Sequence, residues 1–258
     1  MIRRGLLFLV GKTAADAKTF PPGLRRPAPW DFSLLAGQRL LRLGRRAKML
    51  LLDFDEKSLA VHLGMTGTLR VTDKSAPWDT HERWEIAFSD GLALRMRDPR
   101  RFGWVDWWRE ELDTWGPEPL SPDFDAESFL KAAKGRKRPL KPFLMEGKAV
   151  AGIGNIYACE SLFAARLHPA APAGLLRETH AQELVIAIKT TLEKAIDQGG
   201  SSIRDFVGAS GKKGYFQMAF CVYGRAGKPC PSCATPVRQE KISGRGSFFC
   251  PRCQEMIL

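Results

Sequence analysis

No stretch of the 258-residue sequence reaches 18 consecutive apolar residues, so no membrane-spanning helix is expected. No internal repeat or low-complexity tract is present, which argues against a repeat architecture. A secretory leader is not expected either. Met1 to Leu9 runs from charge to apolar residues, but the apolar run spans only Leu6 to Val10. Gly11-Lys12 then ends it without a cleavage site, so the segment reads as buried chain. Cysteine is sparse, six in all, and without a leader the compartment is expected to be reducing. Metal ligation therefore suits these thiols better than disulfides. Acidic residues are short too, 28 against 40 Lys and Arg, for a net charge of +12.

That basic excess is clustered. Residues 1–48 hold eleven Lys and Arg against Asp16 and Asp31, and residues 131–148 hold seven against Glu146 alone. Blocks of one sign point to a surface for phosphates, nucleic acid before anionic membrane. An apolar fraction of 44% is ample for a packed core.

Two periodicities divide the chain. Residues 39–108 read as β-rich, with short runs at 49–54, 59–63, 68–71, 84–88 and 92–96. Turn signals at Asp55-Glu56, Gly64, Gly67 and Asp90-Gly91 separate them. Many short strands without helices between them predict a sandwich or barrel. Gly116-Pro117-Glu118-Pro119-Leu120-Ser121-Pro122 is a break. Beyond it residues 120–210 look helical: Ala181, Leu184, Ile188, Leu192 and Ala195 recur at helical spacing. Thr179 and Gln182 fit a capping box, and Gly199-Gly200 a stop. That stripe is core. The expected domains are 1–116, 117–219 and 220–258.

Cys230-x2-Cys233-x16-Cys250-x2-Cys253 has the two-knuckle spacing of tetrahedral zinc. Each CxxC turn aims two thiolates at one point, and Gly244-Arg245-Gly246 suits the tip of a hairpin between them. Four thiolates leave no open position for water, so one structural Zn2+ is expected. Cys159 and Cys221 stand apart and read as buried apolar residues.

Several motifs in order cover nearly the whole chain. They are Gly44-Arg45-Arg46-Ala47-Lys48, His62-Leu63-Gly64-Met65-Thr66-Gly67 and Asp98-Pro99-Arg100-Arg101-Phe102-Gly103. Gly116-Pro117-Glu118-Pro119-Leu120, Gly152-Ile153-Gly154-Asn155-Ile156-Tyr157-Ala158, Gly214-Tyr215-Phe216 and the cysteine ribbon with Arg245 complete the set. Together they resemble the bacterial formamidopyrimidine-DNA glycosylases. The resemblance implies an α+β multidomain fold: an N-terminal β-sandwich, a helix–two-turns–helix domain and a C-terminal zinc β-hairpin, with DNA in the cleft. It implies a DNA repair glycosylase with AP lyase activity, excising oxidised purines by base flipping and Schiff-base β,δ-elimination.

A stacked base is out of reach, so such an enzyme must offset a few kcal/mol of unstacking. By resemblance Met65 is an apolar wedge, Arg100 a cation for the orphaned partner base and Phe102 a stacking ring. The competing reading makes Met65 and Phe102 core and Arg100 a surface charge. Lys48, His81, Arg136, Asn155 and Arg245 match the family's phosphate contacts, Asn155 at an expected helix start. The run Lys134-Gly135-Arg136-Lys137-Arg138 is equally a solvated linker. Lys48 and Arg245 also resemble residues assigned to the elimination steps. Arginine holds its proton in water, so Arg245 fits a phosphate contact better than an acid. The loop from Ser210 to Met218 resembles the family's lesion-covering loop, with Gly211 and Gly214 suiting a lid.

The resemblance further implies a nucleophile, the secondary amine of an N-terminal proline in Pro-Glu-Leu-Pro-Glu-Val-Glu. This sequence opens Met1-Ile2-Arg3-Arg4-Gly5-Leu6, and Arg3-Arg4-Gly5 aligns just after that segment. Were those roughly eight residues helical, at ~1.5 Å each, the Met1 amine would sit ~12 Å from the required place. Two expectations compete: an enzyme whose start lies upstream, or a non-catalytic binder of damaged or abasic DNA. The first is favoured because Lys48 and Arg245 serve chiefly an active enzyme. A cytoplasmic, nucleoid-associated monomer acting on double-stranded DNA is expected.

Overall fold

A computed structural model describes residues 2–110, 113–198 and 220–256. They form two compact units, one of residues up to Asp113 and one of Thr114–Gln198 with the C-terminal segment. Among the described residues no helix is long and apolar enough to cross a membrane.

The first unit is a β-sandwich. After a helical turn α1 (Ile2–Gly5) come β1 (Ala14–Thr19), β2 (Leu40–Arg46), β3 (Met49–Phe54), β4 (Ser58–His62), β5 (Thr68–Asp73), β6 (Glu82–Phe88), β7 (Leu92–Arg97) and β8 (Trp104–Trp108). One sheet has the order β1-β6-β7-β5 and the other β2-β3-β4-β8. All pairings are antiparallel. Leu43, Leu52, Leu59, Val61, Trp84, Ile86, Phe88, Leu94 and Val105 fill the space between them. The five anticipated strands stand as expected. β1 lacks the signal because only Ala14 and Ala17 face the core, and the register breaks between Ala14 and Asp16. The opening run is only half buried: Leu6 and Leu9 are core, whereas Leu7, Phe8 and Val10 are exposed.

The second unit holds α2 (Ala126–Ala133), α3 (Leu140–Glu146), α4 (Asn155–Ala164) and α5 (Glu178–Asp197). Asp125 caps α2, its Oδ1 accepting from the Ser128 N–H at 2.8 Å. α5 buries the stripe read from sequence, with Leu192 at its half-covered edge. Its start differs from the expected box at Thr179 and Gln182. Arg177 is the N-cap, and its N–H donates to His180 Nδ1 at 3.3 Å. Thr179 lies inside the helix, and Gln182 donates instead to Glu178 at 3.2 Å. The stop at Gly199-Gly200 and the 210–218 loop lie outside the described residues.

Between α3 and α4 the chain bends at Gly147 and turns at Gly152, with φ +85° and +73°. A Cβ on Gly147 would lie 2.4 Å from the Trp115 ring, so only glycine fits. β9 (Arg238–Ile242) and β10 (Arg245–Phe249) form the terminal hairpin. Its tip is Ser243-Gly244, with φ +46° and +79°, the two-residue turn that suits strand twist. Arg245 is therefore the first residue of β10 rather than the tip. The hairpin's small core includes Cys159 and Phe163 of α4, Val222 and Val237. Glu160 fixes its entry, accepting the N–H groups of Cys221, Val222 and Tyr223 at 2.8, 3.0 and 2.8 Å.

Candidate nucleic-acid interface

Register alone gathers the first unit's candidates. Met49, His62 and Trp104 are cross-strand partners, so the Lys48 turn, the Met65 turn and the Phe102 loop leave one end of one sheet. In the other sheet Arg97 pairs with both Thr68 and Glu82, which brings Thr66, Asp98 and His81 together. The Asp98 N–H donates to the His81 carbonyl at 2.9 Å.

Met65 is 70% exposed and Phe102 38% exposed. The core reading of these two residues therefore fails. The guanidinium of Arg100 lies 4.9 Å from the Phe102 ring centre, and that of Arg25 lies 4.1 Å from it. Sequence reasoning missed Arg25, whose position over Phe102 is a contact across the fold. It follows from Arg101, which has φ +61° and grips the Gly23 carbonyl at 2.7 Å and the Pro22 carbonyl at 2.9 Å. Lys48 is exposed in the turn between β2 and β3. Burial, with Lys48 nearby, holds the His62 imidazole below its ordinary pKa. Its neutral Nδ1 accepts the Gly64 N–H at 3.0 Å, shaping the turn that carries Met65.

His81 is half-buried, and Asp79 holds its backbone N–H at 2.8 Å. That bond and the Arg97 guanidinium keep the Asp79 carboxyl below its usual range. The segment before it is pinned by Arg95, fully buried, which donates to Glu85 at 2.7 Å and to the Ala76 carbonyl at 3.0 Å.

In the second unit Asn155 and the Arg245 strand meet. Asn155 Nδ2 donates to the Gly246 carbonyl at 3.1 Å. Lys141, buried on α3 and missed by sequence reasoning, donates to the same carbonyl at 2.9 Å and to Ser247 Oγ at 2.7 Å. Burial, the Cys159 thiol and Arg245 surround its ammonium, and the net effect lowers its pKa. Its sequence signal was a lysine inside the apolar run Leu140–Leu144. Asn155 opens α4 as expected, and the Gly154 N-cap makes no side-chain hydrogen bond, so no cap satisfies the first N–H groups of this helix, the kind of position that favours an anion. Arg245 is exposed beside them and shares a groove with Arg138. Arg136 is exposed in the turn after α2, and its hydrogen bonds among the described residues run to Ala132, Ala133 and Gly174.

The four cysteine sulfurs lie within 4.8 Å of one another. Cys230 and Cys253 are 3.8 Å apart and Cys233 and Cys250 3.5 Å. Zn–S bonds of ~2.3 Å in a tetrahedron need sulfurs ~3.8 Å apart, so the cage fits one zinc ion. Crowding makes the thiols ionise unequally. A hydrogen bond from Thr235 holds Cys233 down to about 6, while burial and the neighbouring thiols push Cys253 up to about 12. A dication lets all four ionise. Cys159 and Cys221 are raised by burial, as suits inert packing residues.

Three family models then match the same segments in the same order. Residues 1–105 match the formamidopyrimidine-DNA glycosylase N-terminal domain, residues 115–207 its H2TH domain, and residues 227–255 the zinc finger found in FPG and IleRS. The chain belongs to the formamidopyrimidine-DNA glycosylase family. The formamidopyrimidine-DNA glycosylase of Aromatoleum aromaticum is 47% identical, covering 97% of this chain and 95% of that protein. A Lactococcus lactis FPG variant complexed with DNA containing Fapy-dG superposes with a TM-score of 0.88 at 30% identity, covering 98% of this chain and 97% of that one. MutM in complex with DNA containing carbocyclic 8-oxo-G superposes with a TM-score of 0.87 at 32% identity, over 98% and 97% of the two chains. The zinc hairpin, the α+β architecture and the glycosylase family thus stand together.

Proposed function

We propose that this chain excises oxidised purines, 8-oxoguanine and formamidopyrimidines, from double-stranded DNA and cuts the strand at the resulting abasic site. The observation that carries the reading is the exposed Met65, Arg100 and Phe102 set, displayed at one end of the sandwich in a member of this family. An exposed methionine and phenylalanine flanking an arginine have little value to the isolated fold. They suit a vacated base stack, where the apolar groups replace lost stacking and the guanidinium meets the orphaned partner base.

In this reading Lys48, His81, Arg136, Asn155 and Arg245 contact phosphates. Lys48 and Arg245 also stabilise the charge that develops during elimination, Arg245 as a fixed cation. The chain works as a monomer in three parts, 1–116, 117–219 and 220–258, beside the chromosome in the cytoplasm. The zinc holds the β9–β10 hairpin and takes no part in the reaction. The test is release of 8-oxoguanine from a duplex in which it pairs with cytosine, measured by mass spectrometry. Release with strand scission supports the enzyme. Tight binding to an abasic-site duplex without either product supports the non-catalytic binder.

A further inference from the structure

We propose that Asp98 is the positioning residue that sets the Met65 wedge and the Arg100–Phe102 loop in one fixed arrangement before DNA arrives; this rests on the insertion reading above. The carboxylate is fully buried. Its Oδ1 accepts from Thr66 Oγ1 at 2.6 Å and from the Arg100 N–H at 3.2 Å, and its Oδ2 from the Gly103 N–H at 2.7 Å. Its backbone joins a third segment, donating to the His81 carbonyl at 2.9 Å and accepting from Arg83 Nε at 2.9 Å. One residue thus ties the neighbours of Met65, His81, Arg100 and Phe102.

A buried carboxylate is costly unless its acceptor positions are used. Here both oxygens serve two surface loops, and neither joins strand to strand. The loops also interlock without slack. A Cβ on Gly64 would lie 2.6 Å from the Gly103 nitrogen and from the Phe102 carbonyl carbon, and one on Gly103 would lie 2.2 Å from Met96 Cε. Beyond the strand register, this carboxylate and its glycine contacts therefore fix Phe102 and Met65 relative to each other. Prying a base from its stack needs side chains already held in place, because ordering them on contact would consume the gain.

The variants are Asp98→Asn, which turns one acceptor into a donor, and Thr66→Val, which removes the hydroxyl and keeps the shape. Full-length protein is titrated with a duplex carrying a tetrahydrofuran abasic site and with the same duplex undamaged, at one salt concentration. 2-Aminopurine beside the site reports unstacking. The abasic-to-undamaged preference is expected to fall by about 10-fold in Asp98→Asn, equivalent to ~1.4 kcal/mol. It falls in the same direction in Thr66→Val, the 2-aminopurine signal drops in both, and undamaged-duplex affinity holds within about twofold, as expected for phosphate contacts. Should Asp98→Asn not fold, Thr66→Val decides. Wild-type preference and fluorescence in the folded variants overturn the proposal. A Met65→Ala/Phe102→Ala variant separates the two failures. If it keeps the preference, the insertion reading is wrong and the proposal falls with it. If it loses the preference while Asp98→Asn and Thr66→Val do not, only the role of Asp98 is refuted.

Discussion

Replacing Met65 with alanine should leave the fold nearly untouched and damage recognition strongly impaired. Met65 is 70% exposed, so little of its surface contributes to the core. Full burial of a methionine is worth about 1.5–3 kcal/mol, so the covered third accounts for less than about 1 kcal/mol of stability. The exposed remainder is what DNA can cover on insertion. By the same scale it contributes about 1–2 kcal/mol, which is about 5- to 30-fold in affinity. Fluorescence anisotropy with abasic and undamaged duplexes measures that ratio, and thermal melting measures stability. The expected result is a 5- to 30-fold loss on the abasic duplex alone, of the order the area argument gives. A melting temperature lowered as in a core truncation, with recognition unchanged, would refute the reasoning.

Stripping zinc with a chelator, or Cys250→Ser, should abolish amide protection across β9–β10 and weaken duplex binding through loss of Arg245; a metal-free protein with an intact hairpin contradicts this. The dependence of log affinity on log salt should have a slope of about −3 or steeper from Lys48, Arg136 and Arg245, and Arg136→Ala should flatten it by about 1. An unchanged slope removes Arg136 from the phosphate set. His62 should titrate below 6.5 by NMR, because burial and Lys48 disfavour its cation. The unfolded chain then binds the proton more readily, so the stability His62 contributes is complete above its unfolded pKa and fades as pH falls toward the folded value. Lys48→Met should move that midpoint upward; no movement would show that Lys48 does not act on His62.

Strands β3 to β7 were legible because their apolar residues recur within short runs bounded by turn signals. β1 was not: Ala14-Ala15-Asp16-Ala17-Lys18-Thr19 buries only two alanines, too little for a pattern. The zinc cage was legible from spacing alone, but the hairpin register was not, since either Ser243-Gly244 or Gly244-Arg245 could turn the chain. Met65 and Phe102 carry no mark in the sequence that separates core from surface; their exposure excludes the core. Asp98 and Lys141 act through partners 32 and 105 residues away, contacts no local pattern encodes.

Borohydride trapping on a duplex with 8-oxoguanine opposite cytosine tests the central claim most directly. It is run on the 258-residue chain and on the same chain with Met-Pro-Glu-Leu-Pro-Glu-Val-Glu-Thr placed before Ile2. The account predicts a covalent protein–DNA complex and strand cleavage with the proline-bearing form. If neither form traps while both bind an abasic-site duplex, the glycosylase reading is contradicted and the chain is a binder without turnover.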